Sequence, residues 1–161
     1  MASKIGILTA GNDVPGLNAA IRSVGKTAKD SNIDLIGFQD GFNGLVENRF
    51  VQFVGSELSG ILTLGGTLLG TSQDLPIGES DTDRFIEQAK INYKKHKLDG
   101  LVILGGAMMQ VGALLLSEAG LNIISLPKSI SNDLYGTDYT IGFDTALSVA
   151  AEAIDRLHST A

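Results

Sequence analysis

Asn122-Ile123-Ile124-Ser125-Leu126 leads into Pro127-Lys128-Ser129-Ile130-Ser131-Asn132-Asp133, and then into Gly136-Thr137-Asp138-Tyr139-Thr140-Ile141-Gly142-Phe143-Asp144-Thr145-Ala146. This stretch decides the fold. A short apolar run reads as a strand, the polar turn after it carries an acid, and the segment that follows reads as a helix. Strand, polar loop and helix in succession are the repeating unit of an open parallel α/β sheet, which collects its working groups at the carboxyl ends of its strands.

Three more runs of the same kind lie upstream, at residues 5–9, 33–38 and 98–104. Each is brief and uniformly apolar, as strands buried on both faces are. Helical patterns separate them. Residues 15–28 open with Pro15 and set Leu17, Ala20, Ile21 and Val24 on one face. Residues 80–96 align Phe85, Ile86, Ala89 and Tyr93, with Asp81 and Asp83 at the positive end of the helix dipole and Lys94, Lys95 and Lys97 near the negative end. Residues 110–119 stop at Gly120, and residues 140–157 carry Phe143, Leu147, Ala150, Ala151, Ile154 and Leu157 at helical spacing. The region 49–76 is less regular, with a short strand predicted at 51–54 and a short helix at 57–64. The alternation predicts an α/β, three-layer Rossmann-like lobe: a mostly parallel sheet with helices on both faces. No repeat, low-complexity tract or linker divides residues 1–161, so one domain is expected.

Composition narrows the function. With 43% hydrophobic and 19% charged residues, the chain has the balance of a folded domain. No apolar run approaches the length of a membrane span, and Met1-Ala2-Ser3-Lys4 enters a strand pattern without a secretory apolar segment. The absence of cysteine excludes disulfides and thiolate metal sites and fits a cytoplasmic protein. Eighteen acids against 12 bases give a net charge of -6, and no basic stripe offsets it, which excludes nucleic acid as the expected partner. A small anion remains compatible, because backbone amides can hold phosphate without net positive charge.

The glycines cluster where such an anion would sit. Thr9-Ala10-Gly11-Asn12-Asp13-Val14-Pro15-Gly16-Leu17-Asn18-Ala19-Ala20 joins the first strand to the first helix. A glycine there lets free amides and a helix dipole point at one spot, although a plain tight turn reads the same way. Leu64-Gly65-Gly66-Thr67-Leu68-Leu69-Gly70-Thr71-Ser72-Gln73 is rich in glycine and hydroxyls, and either binds an anion or merely turns. Leu104-Gly105-Gly106-Ala107-Met108-Met109-Gln110 again follows a strand, and its two methionines read as gap-filling core. Asp133 taken alone is as readily a turn or cap residue as a catalytic acid. His96 and His158 read as exposed helix-end residues.

Taken in order, these four segments resemble the phosphofructokinase family, over nearly the whole chain. The family has Gly-Gly-Asp-x-Pro-Gly-x-Asn-Ala at the first, Gly-Gly-Thr-x-Leu-Gly-Thr-Ser-Arg at the second, and Gly-Gly-Asp-Gly-Ser or Gly-Gly-Asp-Asp-x at the third. At the fourth it has Pro-Lys-Thr-Ile-Asp-Asn-Asp or Pro-Gly-Thr-Ile-Asp-Asn-Asp. The resemblance implies an enzyme that moves a phosphoryl group from ATP or pyrophosphate, with Mg2+, to fructose 6-phosphate. It marks Gly11, Asn12, Gln73, Gly105, Gly106, Met108 and Met109 as the nucleotide- or phosphate-facing positions, Ala107 as the metal-organising position, and Ser129, Ser131 and Asp133 as the catalytic ones. Lys128 resembles the pyrophosphate-dependent branch, where lysine replaces glycine.

The departures fall on the reactive groups. Asn12 replaces a glycine. Gln73 replaces an arginine clamp and brings no charge. Ala107 replaces an acid and has no oxygen for a hard cation. Ser131 replaces the general base, and a hydroxyl has no useful basicity near neutral pH. Met108 and Met109 predict a plugged nucleotide pocket. The resemblance therefore implies the nucleotide-side lobe of such an enzyme without its second lobe, disarmed for catalysis, with weak or absent metal and nucleotide binding. It also implies an oligomer formed through an open sheet edge or helices. Two alternatives are an active half-chain completed by another subunit and an unrelated flavodoxin-like small-molecule module.

Overall fold

A computed structural model describes residues 3–54, 56–75, 78 and 81–158. In chain order they form β1 (Lys4–Ala10), α1 (Leu17–Asp30), β2 (Asp34–Phe38), α2 (Phe42–Glu47), β3 (Phe50–Gln52), a 3-10 turn (Ile61–Thr63), α3 (Asp81–Lys95), β4 (Gly100–Gly105), α4 (Ala107–Glu118), β5 (Ile123–Pro127) and α5 (Phe143–His158). The five strands are ordered β3-β2-β1-β4-β5. All neighbours are parallel except β2 and β3. This is the α/β architecture expected from the alternation.

Strand side chains alternate between two cores because successive residues point to opposite faces. Leu8, Ile36, Leu101 and Ile103 pack with Phe42 and Leu45 of α2, Phe85, Ala89 and Tyr93 of α3, and Met109, Ala113 and Leu116 of α4. Ile7, Leu35, Val102 and Leu104 pack on the other face with Leu17, Ile21 and Ala28 of α1 and with Leu58, Ile61 and Leu69. Runs without internal polarity are what a sheet covered on both sides requires.

At the amino end of the sheet, three helices return to strands through one device. Ile33 N–H donates to the Ala28 carbonyl at 2.8 Å, Leu98 N–H to Tyr93 at 3.1 Å, and Leu121 N–H to Leu116 at 3.1 Å. In each the preceding residue has positive φ: Asn32 at 56°, Lys97 at 54° and Gly120 at 89°. These are Schellman turns, which satisfy the last helical carbonyls and aim the chain into the next strand.

Several expectations are corrected. β5 is not buried on both faces: Ile124 is 64% exposed at the sheet edge. The helix expected at 57–64 is only the 3-10 turn Ile61–Thr63. The short strand lies at Phe50–Gln52 rather than 51–54, and α2 had no counterpart in the sequence reading. Ser80, expected to open α3, lies outside the described residues. α4 starts at Ala107, because Ala107, Met108 and Met109 are good helix formers that extend it by a turn. α1 starts after Pro15, because Gly16 at φ 93° breaks the helical path. α5 starts at Phe143, because Ile141 is held alongside the end of β5, bridging to Lys128. His96 is half-buried, edge-on to Phe50 at 4.4 Å and to Phe38 at 6.0 Å. No helix among the described residues is long and apolar enough to cross a membrane.

Candidate functional site

After β1 the chain moves to β2 on one side. It later returns to place β4 on β1's other side. The loops leaving β1 and β4 therefore diverge, and a sheet of this kind opens its ligand crevice at that switch point. Gly11 and Gly106 stand on its two lips. Gly11 has φ 89°. A Cβ there would lie 3.2 Å from Met109 Cγ, 3.5 Å from Lys128 Nζ and 3.9 Å from the Gly106 nitrogen. Glycine is needed both for the backbone angle and for the close approach. Gly106 is the N-cap of α4 and makes no side-chain cap, and the first turn contains no acid. The leading amides of a helix lack intrahelical acceptors and carry the positive end of its dipole. One lip of the crevice thus carries the positive end of the α4 dipole, while the Gly11 N–H on the other is taken by the Ser72 carbonyl.

The 64–73 segment closes one side and is stapled down. Thr9 Oγ1 donates to the Gly70 carbonyl at 2.6 Å and lies 2.9 Å from Thr67 Oγ1. Buried Asn18 donates to the carbonyls of Leu64 and Gly65 at 3.1 and 3.3 Å and accepts from Leu68 N–H at 2.7 Å. Three consecutive links join this segment to the first loop. Thr71 Oγ1 donates to the Gly11 carbonyl at 2.6 Å, Gly11 N–H to the Ser72 carbonyl at 2.7 Å, and Gln73 Nε2 to Asn12 Oδ1 at 2.5 Å.

Lys128 ties in the loop after β5. Its N–H donates to the Gly105 carbonyl at 3.2 Å, and its ammonium donates to the Asn12 carbonyl. The side chain is 2% exposed. Burial pushes its pKa below the ordinary lysine value, and Asp13 opposes that shift. Beyond it, Ser129 Oγ donates to Asp133 Oδ1 at 2.6 Å and accepts from Ser131 N–H at 3.0 Å. Thr140 Oγ1 donates to the Ser129 carbonyl at 2.8 Å, and Asn132 Oδ1 accepts Thr140 N–H at 2.9 Å. The loop is therefore braced by its own far end.

Gly11, Asn12, Gln73, Gly106 and Met109 are brought together, with Lys128 between them. Gly105 supports them from the end of β4, through the carbonyl that accepts Lys128 N–H. Ser129, Ser131 and Asp133 form a second group reached through Lys128. Ala107 and Met108 sit on the exposed first turn of α4. Met109 is core, at 4% exposure. Met108 is 64% exposed and is not, which corrects the reading of both as filler. Three and four residues apart are neighbours on a helix, whereas consecutive ones are not, so only one of the pair can face the sheet. The methyl group at residue 107 offers nothing to a hard cation. Among the described residues no three His, Cys, Asp or Glu side chains converge to hold a metal.

Thr9, Asn18, Asn43, Ser72 and Asp74 also shape the site and were not singled out from the sequence. Asn18 left one clue, as an asparagine inside the first helical pattern. Asn43 left none, because its bond to Asp74 spans 31 positions.

The family described as Phosphofructokinase matches residues 4–161. An ATP-dependent 6-phosphofructokinase from Propionibacterium freudenreichii subsp. shermanii is 54% identical over 165 residues, across 100% of this chain and 44% of its own length. One from Spirochaeta thermophila is 50% identical over 164 residues, across 97% of this chain and 45% of its own. The structure of phosphofructokinase from Saccharomyces cerevisiae superposes with a TM-score of 0.85 at 31% identity, covering 98% of this chain and 24% of that one. A pyrophosphate-dependent phosphofructokinase from Nitrosospira multiformis shares the fold alone, with a TM-score of 0.73 at 21% identity. The chain spans less than half the length of these curated relatives.

Proposed function

The chain belongs to the phosphofructokinase family, and we propose that it is a nucleotide-side lobe, residues 1–161 forming one domain, that keeps the family's anion cradle and lacks the groups that move the phosphoryl. The observation that carries this reading is the contrast at the crevice. Gly11 and Gly106 keep the family's close backbone approach at the crevice, while the family's reactive positions carry Gln73, Ala107 and Ser131. Phosphoryl transfer from ATP or pyrophosphate to fructose 6-phosphate depends on cationic clamps, a metal and a base that orients the hydroxyl. Gln73 supplies no charge, Ala107 no metal contact, and Ser131 no base. Loss of a positioned base alone costs a factor of about 10² to 10⁴. Asp133 is the acid left in the loop, and it accepts the Ser129 hydroxyl.

A coupled assay with fructose 6-phosphate and either ATP or pyrophosphate tests this directly. No turnover above a protein-free blank is expected, and clear turnover sinks the proposal. The combined change Gln73→Arg, Ala107→Asp, Met108→Gly and Ser131→Asp is expected to strengthen metal and pyrophosphate binding, read as a larger thermal shift, without restoring sugar phosphorylation.

A second reading, an active half-chain completed elsewhere, draws support from one feature. α5 buries none of its residues and β5 exposes Ile124, surfaces that another lobe or subunit would cover. Turnover that appears only when a second family polypeptide is added would favour it.

A further inference from the structure

The acid that follows the second glycine segment has been given a place at the site but no role in choosing a ligand. Asp74 Oδ2 accepts from Ser72 Oγ at 2.8 Å and from Asn43 Nδ2 at 3.0 Å, and Asn43 Nδ2 also reaches Ser72 Oγ at 3.3 Å. Asp74 N–H donates back to Ser72 Oγ at 3.0 Å. A small clasp thus fastens the segment to α2 and fixes where the carboxylate stands. Both of its partners are neutral donors, so the charge is held in place and not cancelled. Their hydrogen bonds keep Asp74 below the usual carboxylate range.

Ser72 is also the residue whose carbonyl accepts Gly11 N–H at 2.7 Å. One residue therefore connects the carboxylate to the lip of the crevice, so that its charge is felt there most at low salt. No cation forms an ion pair with Asp74 among the described residues, although Arg84 lines the same surface pocket as Asn43. The Lys128 ammonium is buried on the Asn12 carbonyl. Arg49 is committed to Asp40 at 2.5 Å and Glu47 at 2.7 Å. Gln73, next in the chain to Asp74, is neutral.

We propose that Asp74 is a specificity-determining residue of the cradle, a fixed negative charge that opposes polyanions and biases the site toward less charged ligands. The inference rests on the anion-cradle reading above and adds a reason for selectivity among ligands. It involves no chemical step.

The test is the affinity of the whole chain for inorganic pyrophosphate by titration calorimetry, at low and at high ionic strength. Asp74→Asn keeps the shape and both hydrogen-bonding neighbours while removing the charge. It is expected to bind pyrophosphate roughly three- to tenfold more tightly at low salt, with the gain shrinking as salt screens it. Asp30→Asn, at the exposed end of α1, makes the same change in net charge at the opposite rim and is expected to leave the affinity within error. Unchanged or weaker binding by Asp74→Asn at low salt overturns the proposal, since a purely structural role predicts one or the other. A gain that ignores salt overturns it as well, and so does the absence of detectable pyrophosphate binding in both proteins. Turnover with fructose 6-phosphate would defeat the disarmed-lobe reading and leave this comparison standing.

Discussion

α1 and α5 are written in nearly the same way and end differently. Each follows a strand and a glycine-bearing loop, and each sets apolar residues at helical spacing. α1 buries Leu17, Ile21 and Ala28 against the sheet. α5 buries nothing, and Leu147, Val149, Ile154 and Leu157 all face outward. The pattern encodes which face is apolar. Whether that face is covered depends on the partner the fold supplies, and here only one of the two helices finds it within residues 3–158.

The sharpest way to break the contrast is to truncate matched residues. Ile21→Ala removes a fully buried side chain and is expected to cost about 2–5 kcal/mol in denaturant unfolding. Ile154→Ala removes one that is 65% exposed and should fall within about 0.5 kcal/mol. Equal costs would mean that α5 is covered in solution, and the difference between the helices would vanish.

A smaller effect is expected on the covered side at Lys97, a side chain held at φ 54° in the turn leaving α3. Lys97→Gly relieves the clash between Cβ and the carbonyl in this left-handed conformation and should raise stability by up to about 1 kcal/mol. A fall in melting temperature would show that the lysine does more than cap.

The smallest effect concerns pH. His96 lies between Phe38 and Phe50 with Nε2 at 2.5 Å from Asn48 Oδ1. Burial first, then Lys95 and Lys4, hold its pKa below 6.5. The unfolded chain therefore takes up the proton first as pH falls. Stability is lost from just above pH 6.5 down to the folded value, then levels. His96→Gln should flatten that acid slope, as read from melting temperatures between pH 7.5 and 5. An unchanged slope would assign the loss to the carboxylates instead.

Much of the sheet was legible because its signal is local. β1, β2, β4 and β5 are flat apolar runs, and their predicted and observed bounds differ by a residue or two. α2 was invisible for an equally plain reason. It is six residues long, too short for the apolar set Phe42, Leu45 and Val46 to stand out as a period, and Gly44 sits where a Cβ would collide with the Gln39 carbonyl. The crevice was legible through Gly11 and Gly106, since glycine after an apolar run is a local mark. What holds the crevice together was not. The Lys128 bond to Asn12 spans 116 positions, and the Asn43 bond to Asp74 spans 31. A lysine beside a proline carries no trace of the carbonyl it will meet, so the sequence offered Lys128 only as a likeness to the pyrophosphate-dependent branch, and the structure buries it as an internal tie.

The Schellman turns divide the two rims of the sheet by what they can tolerate. Each hands a helix to a strand over a fixed number of residues, with the apolar residue after the left-handed position (Ile33, Leu98 or Leu121) leading toward the next strand. One inserted residue there would exchange the inner and outer sides of the whole strand that follows. The opposite rim sets the register of no strand, because its loops are held by scattered bonds such as Thr71 Oγ1 to the Gly11 carbonyl and by the isolated Lys128–Ile141 bridge. Lengthening, shortening and replacement are therefore expected to accumulate around the crevice while the far rim stays fixed in length, which lets one scaffold carry altered chemistry without being rebuilt.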